Sequence, residues 1–272
     1  MAQAAVIARP VAPRAAPPGD VRLMNGVSLA VGVVALGVLL TAAGLWLVRA
    51  PWFALRAIQI EGDTQRNSAA TLRANTVPRL SGTFFTLDLQ QARQVFESVP
   101  WVRQAVVRRV WPNRLAVRLE EHRPAARWLG HDGNERWVNT YGEVFEAPAS
   151  EAESEQLPLL AGPDGSSARL LAMHQRLETV FARLGQRVAV LEQSGRGSWS
   201  LTLSDESEVV IGRGDEAEIV ARATRFAATL TQVLQYHKTD LLSADLRHPG
   251  GYAVRLKGAT TVPPEAARGR KN

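Results

Sequence analysis

Val102-Arg103-Gln104-Ala105-Val106-Val107-Arg108-Arg109-Val110-Trp111-Pro112-Asn113-Arg114-Leu115-Ala116-Val117-Arg118-Leu119-Glu120-Glu121 reads as two strands around a short turn. Val102 to Val110 is rich in valine. Arg114 to Glu121 alternates, with Leu115, Val117 and Leu119 on one face and Arg114, Arg118 and Glu120 on the other, the period-two pattern of a strand buried on one side. Trp111, Pro112 and Asn113 supply the turn. Glu120 and Glu121 occupy successive strand positions and point to opposite faces, which argues against a shared acid–base site.

Upstream, Ile58 and Ile60 alternate with Gln59 and Glu61 until Gly62 and Asp63 break the run, predicting one more short strand. Ser68 to Val77 is helix-compatible and closed by Pro78. Asp88 to Val99 predicts a clearer helix: Asp88 and Gln91 have capping-box spacing, Leu89, Ala92, Phe96 and Val99 share a face, and Pro100 stops the pattern. The order strand, helix, helix, strand, strand describes a small α+β layer over residues 54–123.

Further upstream lies an uncharged run from Leu23 to Val48, bracketed by Arg22 and Arg49. As a helix it spans roughly 39 Å, more than the ~30 Å hydrocarbon core. A cleaved secretory signal would have an apolar region of only about 7 to 15 residues ending at small side chains, whereas Ala42, Ala43 and Gly44 are followed by Leu45, Trp46, Leu47 and Val48. The run is therefore expected to be a single transmembrane helix, residues 23–48. Gly26, Gly32, Gly37 and Gly44 offer small residues but no Gly-x-x-x-Gly pair.

Arg9, Arg14 and Arg22 before the helix balance Arg49, Arg56 and Arg66 after it, so basic residues alone do not orient the chain. A short Pro- and Ala-rich segment, residues 1–22, reads as a disordered cytoplasmic tail, with the larger part of the chain on the other side. Trp46, Trp52 and Phe53 are placed as an aromatic belt at the far interface.

Downstream, Arg127-Trp128-Leu129 and Arg136-Trp137-Val138 flank Asp132-Gly133-Asn134 as a hairpin, and Tyr141 to Phe145 supplies another turn and strand. Ala149 to Gln156 is acidic and polar, and Pro158, Gly162, Pro163 and Gly165 follow, predicting an exposed loop. Leu170, Leu177, Phe181 and Leu184 form a helical stripe ended by Gly185. A second helix opens at Asp215 with Glu218, aligning Ile219, Ala223, Phe226, Leu230 and Val233. Arg187 to Leu191, Trp199 to Leu203 and Glu208 to Ile211 read as strands, and Asp240 to Arg247 and Tyr252 to Leu256 as the last two. Residues 124–257 thus form a strand-rich domain with two helices, and 258–272 a disordered tail.

The element order 54–123 resembles a POTRA domain. The stretch Pro100 to Leu115, continued by Glu120, Glu121, Arg123, Pro124, Ala126, Arg127 and Trp128, resembles the corresponding block of the FtsQ/DivIB family of bacterial cell-division proteins. The likeness runs from residue 23 to 257. It implies a non-enzymatic, bitopic inner-membrane protein of the divisome and septum, with a periplasmic C-terminal domain that binds an FtsB/FtsL-type pair, and a POTRA-like unit that contacts further divisome members. The family's terminal strand receives a strand from FtsB, which maps onto Arg247, His248, Gly251, Tyr252, Ala253 and Val254, with Arg196 as a second basic contact. On the residues alone, an ordinary core strand and turn stays equally open. Phe84 and Phe85 read as packing under their loop, or as part of a POTRA partner surface.

Little else suggests chemistry. His122, His131, His174, His237 and His248 have no metal-site spacing, and no metal or cofactor is expected. Gly212-Arg213-Gly214-Asp215 lacks the Lys and Ser/Thr of a phosphate loop. Ser198 and Ser200 lack a nucleophile-elbow context. Cysteine is absent, which excludes disulfides and thiolate catalysis. The net charge of +6 is spread along the chain and gives no nucleic-acid stripe. The competing readings are a membrane-anchored peptidoglycan-binding or wall-modifying protein, and a POTRA chaperone, which would carry tandem units and a barrel.

Overall fold

The computed structural model describes residues 19–148, 155–237 and 239–258. The expected tails, apart from residues 19–22 and 258, and most of the acidic stretch Ala149 to Gln156 lie outside the described residues.

A single helix, α1 (Gly19–Val48), contains the apolar span Leu23–Val48, none of it buried against the rest of the chain. An apolar helix without protein cover is what a lipid-facing span requires. A 3₁₀ turn, Pro51–Phe53, leads into β1 (Ala57–Gly62). Then come α2 (Ala69–Thr76), α3 (Leu89–Glu97), β2 (Val102–Val110) and β3 (Arg114–Glu121), in the order the sequence predicts.

The three strands form one sheet in the order β1-β3-β2, with β1 parallel and β2 antiparallel to β3. Central β3 buries Leu115, Val117 and Leu119 against Leu72, Ala92 and Phe96 from the two helices. Fully burying each large side chain contributes about 1.5–3 kcal/mol. The helices start where predicted: the Ser68 hydroxyl accepts from Thr71 N–H at 3.1 Å, and the Asp88 carboxylate accepts from Gln90 and Gln91 N–H at 2.8 and 3.3 Å. Gly62 has φ +101°, and a Cβ there would sit 2.3 Å from the Leu119 carbonyl oxygen, so only glycine lets β1 end so close to β3.

The second unit is a nine-stranded sheet. Its strands are β4 (Pro124–Leu129), β5 (Glu135–Asn139), β6 (Val144–Phe145), β7 (Leu159–Ala161), β8 (Val188–Gln193), β9 (Trp199–Leu203), β10 (Glu208–Gly212), β11 (Leu241–Asp245) and β12 (Ala253–Leu256). They run in the order β12-β11-β10-β9-β8-β7-β4-β5-β6. Helix α4 (Ser167–Phe181) links parallel β7 and β8, and α5 (Glu216–His237) links parallel β10 and β11. The buried core joins Trp128, Leu160, Trp199 and Val209 of the sheet to Leu170, Phe181, Ile219 and Phe226 of the helices.

One expectation is corrected. The Pro- and Gly-punctuated region after Gln156 is not simply an exposed loop, because Leu159–Ala161 pairs with both β4 and β8 in the interior of the sheet, with Leu160 fully buried. A three-residue strand is too short to show alternation, and a parallel strand flanked on both sides needs none.

Candidate functional site

The exposed end of the nine-stranded sheet is β12. Its single neighbour is β11, in the register Leu241↔Leu256, Ser243↔Arg255, Ala244↔Val254, Asp245↔Ala253. No strand covers its other side among the described residues, so half of its main-chain donors and acceptors face outward, as an edge strand's do. The opposite edge, β6, is two residues long, and its Phe145 is buried against Trp101 and Trp137.

Within β12, Leu256 is buried and Val254 half-buried on the helix side, while Ala253 and Arg255 are exposed. Tyr252 packs its ring edge-to-face on Phe226, centroids 5.0 Å apart, and its hydroxyl shares a 2.7 Å hydrogen bond with Thr229. It therefore belongs partly to the core, and presents less free surface than a stacking anchor would.

Arg247 is bound within the chain. Its Nε lies 2.9 and 3.0 Å from the two Asp245 carboxylate oxygens and its Nη2 lies 2.5 Å from one of them. This hydrogen bonding holds the Asp245 carboxyl down at about 2, although its burial pushes the other way. His248 to Gly251 form an exposed turn closed by Gly251 N–H to the His248 carbonyl. Beside it opens a hollow of about 380 Å³, lined among others by Arg222, Arg225, Phe226, Thr229, His248 and Tyr252.

Arg196 sits exposed in the β8–β9 turn, where Ser194 N–H donates to the Ser198 carbonyl at 2.9 Å. Gln193 pairs with Trp199, Trp199 with Gly212, and Asp245 with Ala253, which puts Arg196 and the 247–253 turn at the same end of the sheet. They are separated by three strand spacings, roughly 14 Å. The site residues thus share one basic end without touching.

Two neighbours of these residues, Arg222 and Arg225, carry almost no sequence signal. Arg222 donates to the Ile211 and Arg213 carbonyls at 3.3 and 2.5 Å, and Arg225 lies exposed beside it. Gly212 has φ +94°, and a Cβ there would lie 2.8 Å from Arg247 Cγ. Helix periodicity places 222 and 225 off the buried stripe, which is the one hint available.

A second constellation joins the two sheets. Trp101, Trp137 and Phe145 form a separate buried cluster, and the Arg66 guanidinium lies 4.0 Å over Trp101. Arg103 forks Glu143 at 2.8 and 3.0 Å and reaches Glu120 at 3.0 Å, lowering the Glu143 pKa. Buried Glu121 accepts from Arg66 and Asn67 N–H at 3.0 and 2.9 Å. Among the described residues no three His, Cys, Asp or Glu side chains are grouped to hold a metal, and His174 is buried with Nε2 2.9 Å from the Val188 carbonyl.

Residues 53–122 match the family model of the POTRA domain, FtsQ-type, and residues 126–247 that of the cell division protein FtsQ/DivIB, C-terminal. The chain is 41% identical over 243 residues to cell division protein FtsQ of Thiomonas arsenitoxydans, covering 89% of each chain. It is 41% identical over 240 residues to FtsQ of Burkholderia pseudomallei, covering 88% of this chain and 94% of that one. To Escherichia coli FtsQ it is 31% identical over 192 residues, covering 70% and 67%. Together with the membrane-span helix and the two sheets, these matches show that the chain belongs to the FtsQ/DivIB family of cell division proteins.

Proposed function

We propose that this chain is a non-enzymatic divisome assembly protein that captures an FtsB-type strand, with its FtsL-type partner, along β12 and thereby helps control septal wall synthesis. The observation that carries this reading is the position of β12 at the open end of the sheet, beside a basic turn. Each added main-chain hydrogen bond contributes only about 0.5–1.5 kcal/mol, so useful affinity needs several bonds and side-chain contacts. Arg222, Arg225, Arg196 and His248 favour an acidic partner segment. In this reading the N-terminus is cytoplasmic, the sheets are periplasmic, the protein concentrates at the division septum, and the POTRA unit meets other divisome members.

The test is binding of the full-length chain in lipid nanodiscs to the periplasmic segment of an FtsB-type protein, for wild type and Ala253→Pro. Proline removes a main-chain donor and restricts an edge strand. A loss of about tenfold or more, equivalent to ~1.4 kcal/mol, with an unchanged circular dichroism spectrum, supports strand addition. Equal binding by both forms moves the interface elsewhere. Wild type that ignores the peptide but retains wall glycan favours the membrane-anchored wall-binding alternative.

A further inference from the structure

Seven tryptophans divide into two sets by position. Trp101, Trp128, Trp137 and Trp199 are buried, whereas Trp46, Trp52 and Trp111 are 74%, 78% and 75% exposed. All three exposed ones gather at the end of the POTRA unit that meets α1. Trp52 is four residues past Val48 and can reach no more than about 14 Å from it. Trp111 is 59 residues further along, yet β1 and β3 are parallel with Ala57 opposite Arg114, and Arg56 N–H donates to the Asn113 carbonyl at 3.0 Å. The β2–β3 turn therefore lies at the same end as the exit from the membrane.

That end is fixed to the helix. The Thr83 hydroxyl donates to the Val48 carbonyl at 2.9 Å, and Phe84 N–H donates to the Phe53 carbonyl at 2.7 Å. Phe85, 46% exposed, packs edge-on against Phe53. Arg109 clamps the same loop through the Phe84 and Leu87 carbonyls at 2.6 and 2.5 Å. Charge is segregated as well: residues 49–60, 79–87 and 109–117 contain no Asp or Glu. Arg49, Arg56 and Arg114 are exposed there and take part in no ion pair among the described residues.

We propose that this end of the POTRA unit is a lipid-docking surface. Trp52, Phe85 and Trp111 enter the interfacial zone around the helix exit, and Arg49, Arg56 and Arg114 bind the phosphates of anionic phospholipids. Indole rings with one polar edge favour that zone, and guanidinium matches phosphate with paired donors. Continuity with the spanning helix identifies the occupant, since Thr83 is hydrogen-bonded to the last residue of that helix and Trp52 follows it by four residues, which keeps this surface beside the bilayer. The consequence is a third fixed point besides α1 and Trp52, which sets the tilt of the sheets over the membrane.

The test is fluorescence quenching of the full-length chain in bilayers containing phosphatidylglycerol, using bromine-labelled acyl chains and, separately, aqueous iodide. In a Trp46→Phe/Trp52→Phe background, where Trp111 is the one exposed indole left, Trp111→Phe is expected to remove the bromolipid-quenchable emission and leave the iodide-quenchable fraction unchanged. In all-phosphatidylcholine bilayers, and in the Arg56→Gln/Arg114→Gln variant, the Trp111 emission is expected to shift to the iodide-quenchable fraction. Iodide quenching of Trp111 in phosphatidylglycerol overturns the proposal. So does equal bromolipid quenching in both lipids, which would remove the anionic preference. So does lipid quenching that needs other division proteins, which would make a protein the occupant.

Discussion

The imidazole of His122 lies flat on the ring of Phe145, centroids 4.0 Å apart and planes within 3°. His122 follows the last strand of the first sheet and Phe145 ends the second, so the stack is part of the joint between them. Asn139 Oδ1 accepts from Tyr141 and Glu143 N–H, both at 2.9 Å, which turns its Nδ2 toward His122 Nδ1 at 2.9 Å. This network assigns Nδ1 as an acceptor, and thus a neutral ring.

Burial lowers the His122 pKa, and Arg103 adds to this, while Glu143 and Glu120 oppose it. A histidine depressed in the folded state binds its proton more readily when unfolded, so its contribution is complete above the ordinary value of about 6.5 and is lost as pH falls below that. Stability of the joint is expected to decline as pH falls below about 6.5. Urea unfolding across pH 8 to 5 should show this slope in wild type and a flatter one in His122→Gln.

Glu121 carries the neighbouring load. It is buried and accepts from two backbone N–H groups and from Asn67 Nδ2 at 3.3 Å. Glu121→Ala leaves buried donors unpaired at about 1–3 kcal/mol each, so a loss of roughly 2–4 kcal/mol is expected by chemical denaturation. Glu121→Gln keeps an acceptor and should lose less than half as much.

Trp101 holds a left-handed backbone, φ 71°, while its ring fills the cluster between the sheets and its Nε1 donates to the Pro148 carbonyl at 3.2 Å. Trp101→Ala removes a buried ring at a cost of about 3–5 kcal/mol. Because the ring belongs to neither sheet's own core, the expected result is a split of one calorimetric transition into two.

At the distal end, Gly212→Ala forces the Cβ against Arg247 and a positive φ onto an alanine, a backbone strain of about 1–2 kcal/mol. Arg247 should release Asp245, whose carboxyl titrates at about 2 through that contact. A carboxylate depressed when folded stabilises above its ordinary pKa of about 3.9 and loses that contribution as pH falls toward the folded value. NMR titration is expected to return Asp245 toward the ordinary range in Gly212→Ala and in Arg247→Ala.

Much of this architecture is legible in the residues, because local chemistry and tertiary packing agree. Ser68 and Asp88 cap the helices that follow them, and Leu115, Val117 and Leu119 alternate into the first core. The order of the nine strands is not legible. It depends on β7 inserting between β4 and β8 across more than sixty residues of chain, and no periodicity encodes such pairing. At the distal edge, Tyr252 and Arg247 could be singled out, but their ties to Thr229 and Asp245 arise only once α5 and β11 are in place. Trp111 reads simply as a turn residue until the parallel register of β1 and β3 carries it to the membrane end.

The parallel pairing of β10 with β11 also sets an order of events during synthesis. β11 can join the sheet only after the whole of α5 has emerged and folded back across it, and β12 can join only after β11. Closing such a long loop is slow relative to forming a hairpin. The ribosome delivers the edge strand after everything it rests on, so a nascent chain has no finished edge to offer. An intact β12 edge therefore reports that the strands and the helix it rests on have already folded.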